Sequence, residues 1–220
     1  WAMNDAMCKL HRVNVTQVGL GDYGRPGNYF ERQIGRWSKQ YQASITTPIP
    51  EMDKLMAWLP EHLPATARDP SMVGIVHGDF RLDNLIFDDE ANVVRAVLDW
   101  ELSTIGHPLA DFSYHCMSWH IPPGAFRGIA GLDLASLGIP SEAEYIARYC
   151  AQTGFISPAQ LQKDWAFYIA YNLFRLAAIL QGIAKRVEMG TASSAKAKDS
   201  AAGAKPLAEL GWAMAQTYNP

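Results

Sequence analysis

Apolar residues recur at helical spacing in the first third of the chain and again beyond residue 108; only between them do they shorten into brief runs. Met3, Met7 and Leu10 share one face of a helix spanning Trp1 to Leu10, which ends before a Gly-rich segment, Val18 to Asn28. Phe30, Ile34, Trp37 and Tyr41 predict a second helix over Phe30 to Gln42. Met52 to Leu59 predicts a short third one, closed by Pro60 and Pro64. The texture changes at Ser71. Val73 to Val76, Leu85 to Phe87 and Val93 to Leu98 are the only strong β candidates, and the turn-like residues Asp88 to Asn92 join the last two as a β-hairpin. A Gly-His-Pro helix start at Gly106 to Pro108 leads into a helix reaching Ser118. A Pro/Gly-rich loop, Ile121 to Gly131, and a helix over Ser141 to Thr153 follow. Trp165, Ile169, Leu173, Leu176, Leu180, Ile183 and Val187 then form a stripe of core residues on one long helix. The Ala/Ser/Lys-biased stretch 191–206 reads as an exposed helix or a mobile connector before a final short helix, Leu207 to Gln216. There is no internal repeat.

Composition narrows the function classes. The chain has 220 residues, 19 basic and 22 acidic, with no run of five Lys/Arg, so a dedicated nucleic-acid binder lacks its electrostatic footprint. The most apolar stretch, Trp165 to Ala184, is interrupted by Asn172, Arg175 and Gln181, so no membrane span is expected. Cys8, Cys116 and Cys150 are odd in number and far apart, which favours a reducing cytoplasm over a disulfide framework or a zinc site. The chain opens on Trp1 without the layout of a signal peptide, so the sequence reads as part of a longer polypeptide.

The densest polar signal is His77-Gly78-Asp79-Phe80-Arg81-Leu82-Asp83-Asn84, with Asp99-Trp100-Glu101 beginning 15 positions after Asn84. If the hairpin forms, its open end carries both Asn84 and Asp99, because cross-strand partners lie about 5 Å apart. Such oxygens suit Mg²⁺, which takes one or two carboxylates completed by water and substrate phosphates. Asp79 stays free to face a substrate hydroxyl. Phosphoryl transfer from ATP needs this division: ligands for the metal, and a separate carboxylate that orients the attacking hydroxyl and accepts its proton. The competing reading is a hairpin merely capped by acidic residues.

The stretches IVHGDFRLDNLIF and AVLDWELSTIGHPLADFSYH resemble the catalytic core of the aminoglycoside phosphotransferase/choline kinase-like family, small-molecule kinases with a protein-kinase fold. GDYGRPGNYFERQIGRWSKQY, LDWELSTIGHPLAD and LFRLAAILQGI are similar to a narrower branch. It comprises the kinase domain of acyl-CoA dehydrogenase family members 10 and 11 and bacterial relatives acting on hydroxyacyl-CoA substrates. The resemblance implies Asp79 as catalytic base, Asn84 and Asp99 as metal ligands with Glu101 a further one, and ATP and Mg²⁺ as cofactors. It also implies that His77 braces the catalytic loop and that Asp111 is a buried acid bonded to that loop's backbone. The implied fold class is α+β, mostly α: a C-terminal helical lobe with a small catalytic hairpin, over residues 1–220. The N-terminal β lobe that holds nucleotide is expected to be absent, since only 76 mostly helical residues precede His77. A separate nucleotide lobe or a fused dehydrogenase domain is therefore an expected partner, and the oligomeric state is left open.

Gly19-Leu20-Gly21-Asp22-Tyr23-Gly24 matches G-x-G-x-x-G, yet Pro26 and Gly27 follow where a helix should open, so an ordinary turn is expected. His107, His115 and His120 are spaced for different faces, not for zinc. The segment Trp119 to Gly131 either lines the acceptor pocket or is a plain surface loop; Arg81, Asp83, Trp119 and Arg127 are the candidate substrate contacts. Residues 157–220 hold four acids (Asp164, Glu188, Asp199, Glu209) against seven bases, which favours an anionic acceptor such as an acyl-CoA over a polycationic aminoglycoside. The alternatives are an antibiotic kinase and, in another class, a non-catalytic kinase-like binding module.

Overall fold

The computed structural model describes residues 1–25, 27–124, 126–192 and 197–219. The helices are α1 (Ala2–His11), α2 (Tyr29–Ser44), α3 (Pro50–Glu61), α4 (Pro108–Cys116), α5 (Glu142–Thr153), α6 (Pro158–Glu188), α7 (Ala197–Ala201) and α8 (Ala204–Thr217). The strands are β1 (Gly74–Val76), β2 (Leu85–Phe87), β3 (Val94–Val97) and β4 (Thr104–Gly106).

Every residue from Phe167 to Ala178 is buried, so α6 is apolar all round rather than along one stripe, and its neighbours must enclose it. They do: α2 and α4 pack on it, and α8 returns along it. Phe30 of α2 contacts the rings of Phe167, Tyr168 and Tyr171, joining the first and last thirds of the chain. The helix is long and apolar enough to cross a membrane by composition, but 83% of its most apolar window is buried inside this fold, as expected of a core helix. Its start is fixed by Ser157, whose side chain accepts from the Gln160 amide, with Pro158 in the first turn. A capping box between Ser141 and Glu144 opens α5, and Gly154 at φ 67° closes it.

Several boundaries differ from the sequence reading, two of them by more than fraying at an end. Pro60 lies inside the last turn of α3, where the missing N–H removes a single bond and the His62 amide still closes on Trp58. The last helix begins at Ala204 rather than Leu207. Within 191–206, Ala197–Ala201 is helical, Ala197 and Ala204 are buried, and 193–196 lie outside the described residues.

The β region forms two antiparallel pairs, β2 with β3 and β1 with β4. The hairpin β2–β3 forms where expected, with β2 at the expected limits and β3 one residue shorter at each end. Strand β4 was not expected: Thr104-Ile105-Gly106 has one strongly apolar residue and runs straight into the Pro108 helix start, so it carries no alternation of its own. Its pairing (Gly74↔Gly106, Ile75↔Ile105, Val76↔Thr104) places His77, just after β1, beside the segment that delivers α4. Gly24 explains the rejected glycine motif: a Cβ there would lie 2.4 Å from Thr104 Oγ1, so this turn packs against β4. No helix opens until Tyr29.

Candidate active site

Leaving β1, the chain makes a loop from His77 to Asn84 whose backbone is held on both sides of Gly78. Asp111, fully buried in the first turn of α4, accepts from the His77 amide at 2.5 Å and from the Gly78 amide at 2.8 Å. A carboxylate there is also favoured by the helix N-terminus. From the other side, Arg175 of α6 donates to the Gly78 carbonyl. Gly78 sits at φ +86°, and a Cβ on it would lie 2.8 Å from the Leu102 carbonyl oxygen, so a side chain is excluded by both conformation and space. His77 is buried. Its Nδ1 accepts from the Asp79 amide at 3.2 Å, so Nε2 carries the proton and donates to the Leu98 carbonyl at 2.8 Å. The histidine thus ties the loop to the end of the hairpin. Behind it, His11 Nε2 lies 3.5 Å from Asp111 Oδ2, and His11 Nδ1 lies 2.7 Å from the Tyr149 hydroxyl.

This frame presents Asp79, partly exposed, with both carboxylate oxygens engaged. The Tyr114 hydroxyl donates to Oδ1 at 2.7 Å, and Asn84 Nδ2 to Oδ2 at 3.1 Å; Arg81 Nε lies 2.9 Å from Oδ2. Burial raises the Tyr114 pKa well above its ordinary range, and the Asp79 charge and hydrogen bond reinforce this, so the phenol stays a donor. Asn84 Nδ2 also donates to the Asp79 carbonyl at 2.9 Å. With its nitrogen turned inward, the Asn84 side-chain oxygen has no donor among the described residues.

The β2–β3 register continues past the strands through a bond from the Leu98 amide to the Asn84 carbonyl at 2.8 Å. Asp99 therefore comes one residue beyond Asn84's cross-strand partner. It is exposed, in the left-handed region (φ 66°, ψ 55°), ahead of the single turn Trp100–Leu102 that carries the exposed Glu101. Left-handed backbone at a non-glycine residue costs on the order of 1 kcal/mol and clusters at functional sites. The chemistry of these oxygens fits a magnesium ion: an amide oxygen and exposed carboxylates are all hard ligands.

Asp79 opens onto a groove of about 1140 Å³ between the His77–Asn84 loop and helices α6 to α8. Its walls are mainly apolar (Leu176, Ile179, Ile183, Leu207), with Arg81, Arg127, Arg175 and Asp199 among them. Arg81 and Arg127 already have carboxylate partners, Arg81 with Asp79 and Asp83, and Arg127 with Asp83. Trp119 lines an adjoining cavity, with its indole donating to the Pro140 carbonyl at 3.1 Å. The three histidines take separate roles. His107 caps α4 and bonds the Thr66 carbonyl, His115 packs among aromatic rings, and His120 pairs with Glu142 at 2.8 Å.

Two residues of the site escaped the sequence reading. Tyr114 lies three positions after Asp111 on a predicted helix, hence on the same face. Arg175 is a cation amid buried apolar positions and makes no ion pair with a carboxylate among the described residues, resting instead near the Tyr114 and Trp37 rings. A charge in such a stripe needs a polar task, and that demand was its signal.

Residues 2–162 match the model of a phosphotransferase enzyme family, APH. The chain is 46% identical over 216 residues to acyl-CoA dehydrogenase family member 10 of Mus musculus, covering 97% of this chain and 20% of that protein. It is 38% identical over 207 residues to family member 11 of Homo sapiens, covering 94% and 26%. Its fold superposes with TM-score 0.92 and 56% identity on a crystal structure from Ralstonia eutropha, provisionally assigned as an aminoglycoside phosphotransferase, over 100% of this chain and 65% of that one. A choline kinase from Cryptosporidium parvum shares the fold at TM-score 0.59 and 14% identity, over 96% and 66%. The chain thus spans about a fifth to a quarter of the curated relatives and two thirds of the solved ones. It belongs to the phosphotransferase enzyme family.

Proposed function

We propose that the chain carries the metal- and acceptor-binding part of an ATP- and Mg²⁺-dependent kinase that phosphorylates a hydroxyl of an apolar, anionic acceptor, a hydroxyacyl-CoA. The observation that carries this reading is Asp79: a carboxylate held by Tyr114 and Asn84 at the mouth of a large, mainly apolar groove. Asp79 orients the acceptor hydroxyl and takes its proton. Asn84 and Asp99, with Glu101 beside them, would hold the metal, which when bound neutralises phosphate charge. Asp111, His77 and Arg175 keep the loop rigid while this happens.

An acyl thioester gains apolar burial in such a groove that a polycationic sugar does not. Leu82, Ile86, Phe87, Trp100 and Leu102 are exposed on the loop, the hairpin and the turn beside the metal ligands, a cluster that suits a covering element. We assign that position to a nucleotide-holding lobe. The shares of the relatives covered here are in keeping with that lobe, and with a fused dehydrogenase domain, lying elsewhere in a longer polypeptide. Three free, buried cysteines suit the cytoplasm.

The test is transfer of labelled γ-phosphate by the full-length protein to a panel of hydroxyacyl-CoAs and kanamycin-type sugars. Turnover is expected on the hydroxyacyl-CoAs, falling by about 10² to 10⁴ in Asp79→Asn, the range for removing a positioned base. Phosphorylation of the sugars alone would overturn the acceptor assignment, and no transfer to any hydroxyl would favour a binding module.

A further inference from the structure

Asp111 fixes the His77 and Gly78 amides, and Asp111 in turn meets a second line of side chains that the proposed chemistry does not use. The carboxylate is fully buried. Among the described residues, His11 is the basic side chain within ion-pair reach of it, with Nε2 3.5 Å from Oδ2, and the imidazole is buried as well. The guanidinium of Arg175 is bonded to the Gly78 carbonyl instead.

The state of the His11 ring is set from its far side. Tyr149 of α5 is buried, its ring stacks on Phe112 at 3.8 Å, and its hydroxyl lies 2.7 Å from His11 Nδ1. Burial raises the pKa of this phenol well above its ordinary range, so it keeps its hydrogen, and Nδ1 is its partner among the described residues. The phenol therefore donates to Nδ1, and Nε2 carries the hydrogen of the ring. Nε2 has no nearer partner than Asp111 among the described residues, and a donor sealed in a dry interior is costly to leave without one.

A polar line thus runs from the Tyr149 hydroxyl through the His11 ring and the Asp111 carboxylate to the His77 and Gly78 amides, and the next residue is Asp79. Its anchor is firm. His11 is the last residue of α1, and a Cβ on Gly74 would lie 3.1 Å from the His11 carbonyl oxygen, so the start of β1 presses against the end of α1. A carboxylate held only by two amides of one loop can turn with that loop; a third donor from a separate helix ties it to the body of the fold.

We infer that His11 is a positioning residue of this site: acting through Asp111, it sets the backbone of the loop that carries Asp79. The inference goes beyond the proposed reading in what holds the loop, and rests on that reading only for the effect on turnover.

Glutamine and asparagine at position 11 separate the two sides of the ring. The glutamine amide nitrogen falls near the place of Nε2, so His11→Gln keeps a donor for Asp111, whereas the shorter His11→Asn keeps a partner for Tyr149 only. In the full-length protein, hydrogen exchange at the His77 and Gly78 amides should quicken by about tenfold or more in His11→Asn and stay within about threefold of the wild type in His11→Gln. With a hydroxyacyl-CoA acceptor, kcat should fall by about tenfold or more in His11→Asn, with KM for ATP and acceptor within about twofold, and His11→Gln should recover most of it. Tyr149→Phe keeps the ring but frees Nδ1 to take the hydrogen, so it should quicken exchange at the same two amides; should His11→Asn fail to fold, this variant decides. Exchange unchanged in His11→Asn or in Tyr149→Phe, or as fast in His11→Gln as in His11→Asn, would overturn the inference and leave the kinase reading intact. A wild type that transfers no phosphate, with exchange quickened in His11→Asn and not in His11→Gln, would defeat the kinase reading while His11 keeps its hold on the loop.

Discussion

The placement of Asp79, Asn84 and Asp99 was legible in the sequence because each is a polar residue fixed by a short element: a strand end before Asp79, a strand start after Asn84, a strand end before Asp99. Tyr114 and Arg175 were not, because their tasks depend on where two distant helices meet the loop. Arg175 shows what such a residue does. It is almost wholly buried, and its guanidinium takes the Gly78 carbonyl, one residue from the proposed base. A hydrogen bond from a charged donor contributes about 1.5 to 3 kcal/mol, and a carbonyl left without it keeps its desolvation penalty. Arg175→Met should lower unfolding free energy by about that amount in urea titrations, and it should reduce kcat more than it raises KM, because the loop loses its rigidity. An unchanged urea midpoint would show that the contact holds nothing.

At the scale of elements, the period-3.6 segments and the hairpin could be read directly, since amphipathic repetition and a five-residue turn both leave marks in the sequence. Strand β4 left none: three residues with one strong apolar side chain gain their conformation by pairing with β1. That pairing matters because it aligns the exit of β1 with the entry to α4, which is how Asp111 reaches the His77 and Gly78 amides. Gly78 is where the elements crowd most closely on the loop. Gly78→Ala forces a β-carbon toward the Leu102 carbonyl at positive φ, which costs about 1 to 3 kcal/mol in backbone strain before any clash is relieved. The expected result is a lower thermal midpoint together with a loss of phosphoryl transfer. Thermal unfolding indistinguishable from the wild type would mean that the loop is softer than its bonds to Asp111 and Arg175 imply.

At the scale of the whole molecule, the arrangement is a helical body built around α6, with the His77–Asn84 loop and the hairpin at one face and two adjoining cavities beneath it. The fold class and the family could be read from motifs within about 40 residues, but the cavities could not, because their walls come from the loop at Trp119, from α4, α5 and α6, and from the last two helices. The central claim is that Asn84 and Asp99 hold a metal–phosphate group at the end of the hairpin. Thermal and urea stability of the full-length protein with and without Mg·ATP, in the wild type and in Asp99→Asn, tests it most directly, since a ligand that binds only the folded state at 100 times its dissociation constant adds about 2.7 kcal/mol. The account predicts a stabilisation of that order in the wild type, dependent on Mg²⁺ and lost in Asp99→Asn. A stabilisation that survives the substitution, or none in either protein, would contradict it.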